Sequence, residues 1–191
     1  MGETVEIALE RLTSEAFAPF GQVIHPPAGA PDFAGPHIAS WRMDFSADGA
    51  IELMVTRYRH LPFALTLMER HFTVTQGFVA LGGASSVMVV AGPTAIDGRS
   101  PTPEPDSLRA FYVDGSSGVM LWRGAWHALT RFPARPPGAA FALITARETQ
   151  RELEREKRDG TPPKLTQVAD FEKSRGIDFR VVDPRGLLDG G

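Results

Sequence analysis

Glu69-Arg70-His71-Phe72-Thr73-Val74-Thr75-Gln76 is the stretch on which the reading of the fold turns. Glu69 and His71 stand two apart, so on a β-strand they project from the same face. Gln76 follows seven positions after Glu69 and, after a tight bend, can return to the same place from the next strand. One strand-bend-strand unit then offers a carboxylate, an imidazole and an amide to a single ion or ligand. Further along, Gly124-Ala125-Trp126-His127 ends a second apolar run in an imidazole.

Outward from this stretch the pattern is one of short strands. Residues 77–96 carry no charge, which by length alone would fit a membrane span. Gly82-Gly83 and Ser85-Ser86 interrupt the run and Gly92-Pro93 follows it, so two buried strands joined by a glycine turn are the simpler reading. Residues 12–17 offer a hydroxyl cap and a short helical turn, closed by Pro19-Phe20-Gly21 before an extended Gln22-Val23-Ile24. Trp41, Met43 and Phe45 alternate with polar residues like a half-buried strand, and residues 51–58 form a second such run. Residues 92–107 read as a Pro-rich loop. Residues 108–113 and 119–122, separated by Asp114-Gly115, read as a hairpin, and residues 141–145 as a further strand. Many short strands and few helices predict an all-β sandwich or barrel.

Composition changes at Ala146. Residues 147–159 interleave both signs of charge among good helix formers and end at Gly160-Thr161-Pro162-Pro163, which predicts one solvated helix. Beyond it, Phe171, Ile177, Phe179, Val181 and Val182 are enough for a docked tail but not for an independent core. The expected organisation is therefore a main domain over 1–146, followed by a charged helix and docked C-terminal tail over 147–191.

The 191 residues are 42% hydrophobic and 23% charged, as in folded globular chains. A net charge of -3 gives no electrostatic reason to bind nucleic acid or an anionic membrane surface, which leaves a small molecule as the expected partner. The absence of cysteine removes disulfides, thiolate metal ligands and cysteine nucleophiles. Residues 1–12 carry Glu3, Glu6 and Glu10 without the cationic start of a secretory signal, so a cytoplasmic location is expected.

The spacing of Glu69, His71, Gln76 and Gly83 resembles the first cupin motif, in which two histidines precede a glutamate and, seven positions further, a glycine. Gly124 and His127 match the end of the second motif, with Trp122 where its proline stands. The resemblance implies a cupin double-stranded β-helix, a jelly-roll barrel with a few short helices and a C-terminal helical extension. Two alternatives stay open at the site. Glu69, His71, Gln76 and His127 hold one divalent metal ion through N and O ligands, or there is no cofactor and the same residues meet a substrate directly. Each also has a structural reading, His71 and His127 as hydrogen-bonded strand histidines and Gln76 as a turn cap.

More particularly, the chain resembles the ureidoglycolate lyase family. The resemblance rests on three blocks. The first is Leu12-Thr13 with Phe17-Ala18-Pro19-Phe20-Gly21-Gln22-Val23-Ile24, and the second Met68-Glu69-Arg70-His71 with Thr75-Gln76-Gly77-Phe78. The third runs from Leu108-Arg109-Ala110-Phe111 through Gly118-Val119 to Trp126-His127. Ala128 and Leu129 stand where the family has a histidine and a proline, and Ser117 and Leu121 where it has Gln and Tyr. The resemblance implies a carbon-nitrogen lyase that eliminates urea from ureidoglycolate to give glyoxylate, in purine and allantoin breakdown. It implies His127, His71 and Glu69 as catalytic acid or base, Arg57 and Arg109 with Gln76 as substrate-binding residues, and a homodimer. The competing readings are another cupin enzyme, an isomerase or metal-dependent oxygenase acting on a small carboxylic acid, and a non-catalytic cupin that binds one.

Overall fold

The computed structural model describes residues 2–95 and 101–189. Residues 96–100 of the expected 92–107 loop, and the ends at 1 and 190–191, lie outside the described residues. The first half of the chain forms β1 (Glu3–Arg11), α1 (Ser14–Phe17), β2 (Gly21–Ile24), β3 (Phe33–Gly35), β4 (Ile38–Ser40), β5 (Ile51–Arg59), β6 (Ala64–Leu65), β7 (Leu67–His71), β8 (Gln76–Ala80) and β9 (Ser86–Ala91). The second forms β10 (Arg109–Val113), β11 (Gly118–Leu121), β12 (Trp126–Ala128), β13 (Phe132–Pro133), β14 (Gly138–Ala146), α2 (Arg147–Asp159), β15 (Thr166–Asp170), α3 (Phe171–Arg175) and β16 (Ile177–Val182).

Two sheets make the barrel. The larger runs β15-β7-β12-β9-β10-β1-β16-β6 with β13 added on β9, and the smaller runs β2-β11-β8-β14-β5. This is the all-β jelly roll expected of a cupin, with α2 leaving the end of β14. The uncharged run at 77–96 resolves into β8 and β9, and no helix among the described residues is long and apolar enough to cross a membrane.

The alternation along the strands builds the core. Met88 and Val90 of β9 pack with Phe17, Phe20, Phe78, Phe111, Val119, Leu121 and Leu143. Val87, Val89 and Ala91 pack on the other side with Leu9, Ala110, Trp126, Phe132, Phe171 and Phe179. Because β9 is buried on both faces, its sequence is an unbroken apolar run instead of an alternating one. The second cluster draws Phe171, Phe179 and Val181 from the C-terminal tail. At roughly 1.5–3 kcal/mol for each fully buried side chain of this size, the tail is a substantial part of what holds the large sheet.

Three expectations need correction. The 108–113 and 119–122 runs are strands, but they do not form a hairpin: β10 pairs with β9 and β1, whereas β11 pairs with β2 and β8. Asp114 accepts a hydrogen bond from the Ser116 N–H at 2.9 Å and Gly115 takes a left-handed φ of 89°. The turn signal is therefore real, but it hands the chain from one sheet to the other. Trp41, Met43 and Phe45 lie outside any strand. There the Arg42 N–H donates to the Asp32 carboxylate at 2.7 Å and the Trp41 indole to the Gly29 carbonyl at 3.0 Å, so local side chains replace a ladder. Finally, residues 3–11 and two segments of the tail, to which the sequence reading assigns no element, are strands: β1 pairs with β16 in parallel, and β15 pairs with β7 in antiparallel.

Candidate active site

Strand alternation brings the polar groups of the 69–76 stretch into the barrel. On β7, Met68 points into the outer apolar cluster while Glu69 and His71 face the interior. On β12, Trp126 and Ala128 join the same outer cluster, which leaves His127 facing inward. The register sets His127 directly opposite Glu69. Gly124, at a left-handed φ of 76°, turns the chain into β12, and its N–H donates to the His71 carbonyl at 2.7 Å, which ties the two motif strands together. Residues 72–75 then carry the chain across to β8 in the smaller sheet, where Gln76 opens the facing wall.

The result is a compact cluster. One ligand atom each from Glu69, His71 and His127 lies within 4.8 Å of the others. Glu69 Oε1 is 4.0 Å from His71 Nε2 and 3.8 Å from His127 Nδ1, and the two imidazole centroids are 5.3 Å apart. Glu69, His71 and Gln76 line a cavity of about 420 Å³, within the range of small-ligand sites, about 300–1,000 Å³. His127 lies behind them, against Glu69 and edge-on to Phe78.

Hydrogen bonds orient both rings. His71 Nδ1 is 2.8 Å from Thr166 Oγ1, a hydroxyl delivered by β15 of the tail. His127 Nδ1 is 3.0 Å from the Ala128 carbonyl. A carbonyl only accepts, so this bond places the proton on Nδ1 and the lone pair on Nε2. Both Nε2 atoms and Gln76 Oε1 are buried without a hydrogen-bond partner among the described residues. Imidazole nitrogens and an amide oxygen left unpartnered near a carboxylate suit a divalent cation with N and O ligands, so Glu69, His71 and His127, with Gln76, are the residues that could hold one.

Burial dominates the electrostatics. Glu69, with 16% of its side chain exposed, has its carboxyl pushed from 4.5 up to about 7 by desolvation, against the pull of Arg131 and Lys157. Desolvation, reinforced by the Arg131 charge, drives His71 down to about 3 and His127 well below its usual 6.5. Near neutral pH the two rings are therefore uncharged lone-pair donors, and Glu69 is the group poised to exchange a proton.

The two arginines expected at the substrate are elsewhere in the chain. Arg57 is exposed on the outward face of β5, whose inward residues Met54, Thr56 and Tyr58 line the cavity. Arg109 is held by Glu10, with Nε 2.8 Å from Oε1, on the opposite side of the large sheet's β9 from β7. Neither lines the cavity, because strand alternation turns the first outward and an ion pair engages the second.

The cavity instead contains Arg131, which no motif in the sequence marks. Its side chain is buried, its Cζ lies 3.7 Å from the Phe78 ring centroid, and its Nη1 donates to the Ala128 carbonyl at 2.7 Å. Gln150, Leu153 and Lys157 of α2 also line the cavity, as does Val168 of β15. A signal for α2 exists in the sequence, since positions 150, 153 and 157 share one helical face. For Arg131 the only signal is its place four residues after His127.

Fold and site together define a cupin-type barrel with a carboxylate and a neutral imidazole in the wall of a cavity of small-ligand size, and a second neutral imidazole behind them. A sequence model of the family described as ureidoglycolate lyase matches residues 4–160. A ureidoglycolate lyase of Burkholderia cepacia is 35% identical over 136 residues, covering 66% of this chain and 73% of that protein. One from Rhodobacter capsulatus is 36% identical over 146 residues, covering 72% and 84%. Among solved structures, RmlC from Streptococcus suis in complex with dTDP-D-xylose aligns at TM-score 0.31 and 9% identity, covering 53% of this chain and 48% of that one. The chain belongs to the ureidoglycolate lyase family.

Proposed function

We propose that this protein cleaves ureidoglycolate to glyoxylate and urea, a late step of purine and allantoin breakdown, and that it does so in the cytoplasm. The observation that carries this reading is the cluster of Glu69, His71 and His127, with Glu69 and His71 in the wall of the cavity, in a chain of this family. The chemistry is an elimination. A base takes the proton of the substrate hydroxyl, the carbonyl of glyoxylate forms, the carbon-nitrogen bond breaks, and the departing nitrogen takes up a proton to become urea.

Glu69 is the group suited to that exchange. A carboxyl raised to about 7 can accept the hydroxyl proton and return it to the leaving nitrogen at neutral pH. By residue type alone His127 takes first place in this role. Burial shifts the weight to Glu69, because an imidazole far below 6.5 is a weak base. His71 then meets the substrate hydroxyl from the cavity wall and Gln76 offers its amide from the facing wall, while His127 backs Glu69 from behind. When bound at these residues, a divalent ion would polarise the hydroxyl oxygen and ease its ionisation. Incubation with ureidoglycolate, following glyoxylate against the spontaneous rate, tests the reading. Formation at background rate would reject it.

We propose further that two copies pair through β5. Its outward side chains Leu53 and Val55 are 70% and 72% exposed, beside an edge that has no partner strand among the described residues. A nine-residue antiparallel edge is self-complementary about a two-fold axis, so a second copy satisfies its backbone groups and covers its apolar side chains together.

A further inference from the structure

We propose that Arg131 is the residue that selects an anionic ligand in this cavity, by binding the ligand's carboxylate where no ion pair with a described residue engages it. The inference deepens the small-carboxylate reading of the site and rests on it. Arg131 is buried in the barrel interior and lines the cavity. Among the described residues none of the ion pairs includes it, although Glu69 shares the cavity. Of its five N–H donors, one Nη1 hydrogen goes to the Ala128 carbonyl at 2.7 Å. Nη2 lies 3.3 Å from His127 Nδ1, but that nitrogen carries its own proton when it donates to Ala128, so it is no acceptor for Arg131. Nε is buried and has no hydrogen-bond partner among the described residues.

A guanidinium taken out of water without a counter-charge is costly. Two features make this one tolerable: its stacking over Phe78, and the attraction of the Glu69 carboxylate. Neither satisfies its remaining donors. A planar carboxylate does, because it accepts two parallel hydrogen bonds from one guanidinium edge. The same charge disfavours a protonated imidazole on either neighbour and draws the carboxylate end of a ligand toward Arg131. The hydroxyl-bearing carbon next to it is thereby left toward Glu69 and His71, which share the cavity wall. A lysine would offer a point charge without the edge.

Binding of lactate, a 2-hydroxy acid, and of lactamide, its neutral amide, to chelator-treated protein tests this without reference to turnover. The expected result by titration calorimetry is that wild type prefers lactate by about ten- to a hundredfold, the range for a charge-assisted contact. Arg131→Gln loses the preference and Arg131→Lys keeps part of it. Because the guanidinium lacks a counter-ion, Arg131→Gln should unfold at a temperature no lower than wild type when no ligand is present. Lactate preference retained in Arg131→Gln, or equal binding of lactate and lactamide by wild type, overturns the proposal. So does failure of wild type to bind lactate, or strong destabilisation by both substitutions, which would mark Arg131 as structural. If the preference is as expected while ureidoglycolate is not turned over, the lyase reading fails and the anion site stands.

Discussion

Replacing Glu69 by Gln should make the fold more stable while removing the group proposed to exchange the proton. The Glu69 carboxyl is desolvated in the barrel and raised from 4.5 to about 7. A tenfold change in proton affinity is worth about 1.4 kcal/mol, so the ionised form costs the folded state about 3 kcal/mol. The sign follows from which state holds the proton more tightly. Between 4.5 and about 7 the folded protein binds it better than the unfolded chain, so stability falls as pH rises through that window. Below 4.5 both states are protonated and the cost vanishes; above about 7 it is complete. Glutamine has nearly the shape of the neutral carboxyl and never ionises. At about pH 8 Glu69→Gln should therefore be more stable by about 3 kcal/mol, or roughly 6–12 °C in Tm for a chain of this size, and at about pH 4.5 it should be nearly equal to wild type. His71 and His127 titrate in both proteins, so the difference isolates position 69. Thermal unfolding of chelator-treated protein at the two pH values is the assay. A Glu69→Gln variant less stable than wild type at the higher pH, or a gain that does not change with pH, would refute the reasoning.

Two further outcomes follow from the geometry. Thr166→Val removes the hydroxyl 2.8 Å from His71 Nδ1 and should lower turnover about tenfold or more, as loss of a ring-orienting partner does, while Thr166→Ser, which keeps the hydroxyl, should stay near wild type. Leu53→Glu places a charge on the outward apolar face of β5; light scattering should give twice the chain mass for wild type and the single mass for the variant, and an unchanged mass would mean that copies pair elsewhere or not at all.

The motif spacing is enough to place Glu69, His71 and His127 in one barrel, because side chains alternate across a strand whatever the rest of the chain does. The charged composition and glycine stop of residues 147–159 likewise predict α2 to its ends. What stays hidden depends on long-range pairing. In residues 3–11 Val5, Ile7 and Leu9 do alternate with Thr4, Glu6 and Ala8, but their place as a central strand depends on β10 and β16, far along the chain, which flank them. Thr166 lies 95 positions from His71, so no local pattern connects them. That Arg57 does not line the cavity likewise turns on which way β5 faces, a one-residue matter of register that residue type does not reveal.

The most direct test of the central claim is the product balance from ureidoglycolate, corrected for spontaneous decay, with urea measured by urease and free ammonia measured without it. Elimination at Glu69 predicts one urea for each glyoxylate, no ammonia until urease is added, and loss of the reaction in Glu69→Gln. Ammonia released in step with glyoxylate without urease would show water attacking the ureido carbonyl, and undiminished turnover by Glu69→Gln would place the proton transfer on another group; either result contradicts elimination of urea by the Glu69 carboxylate.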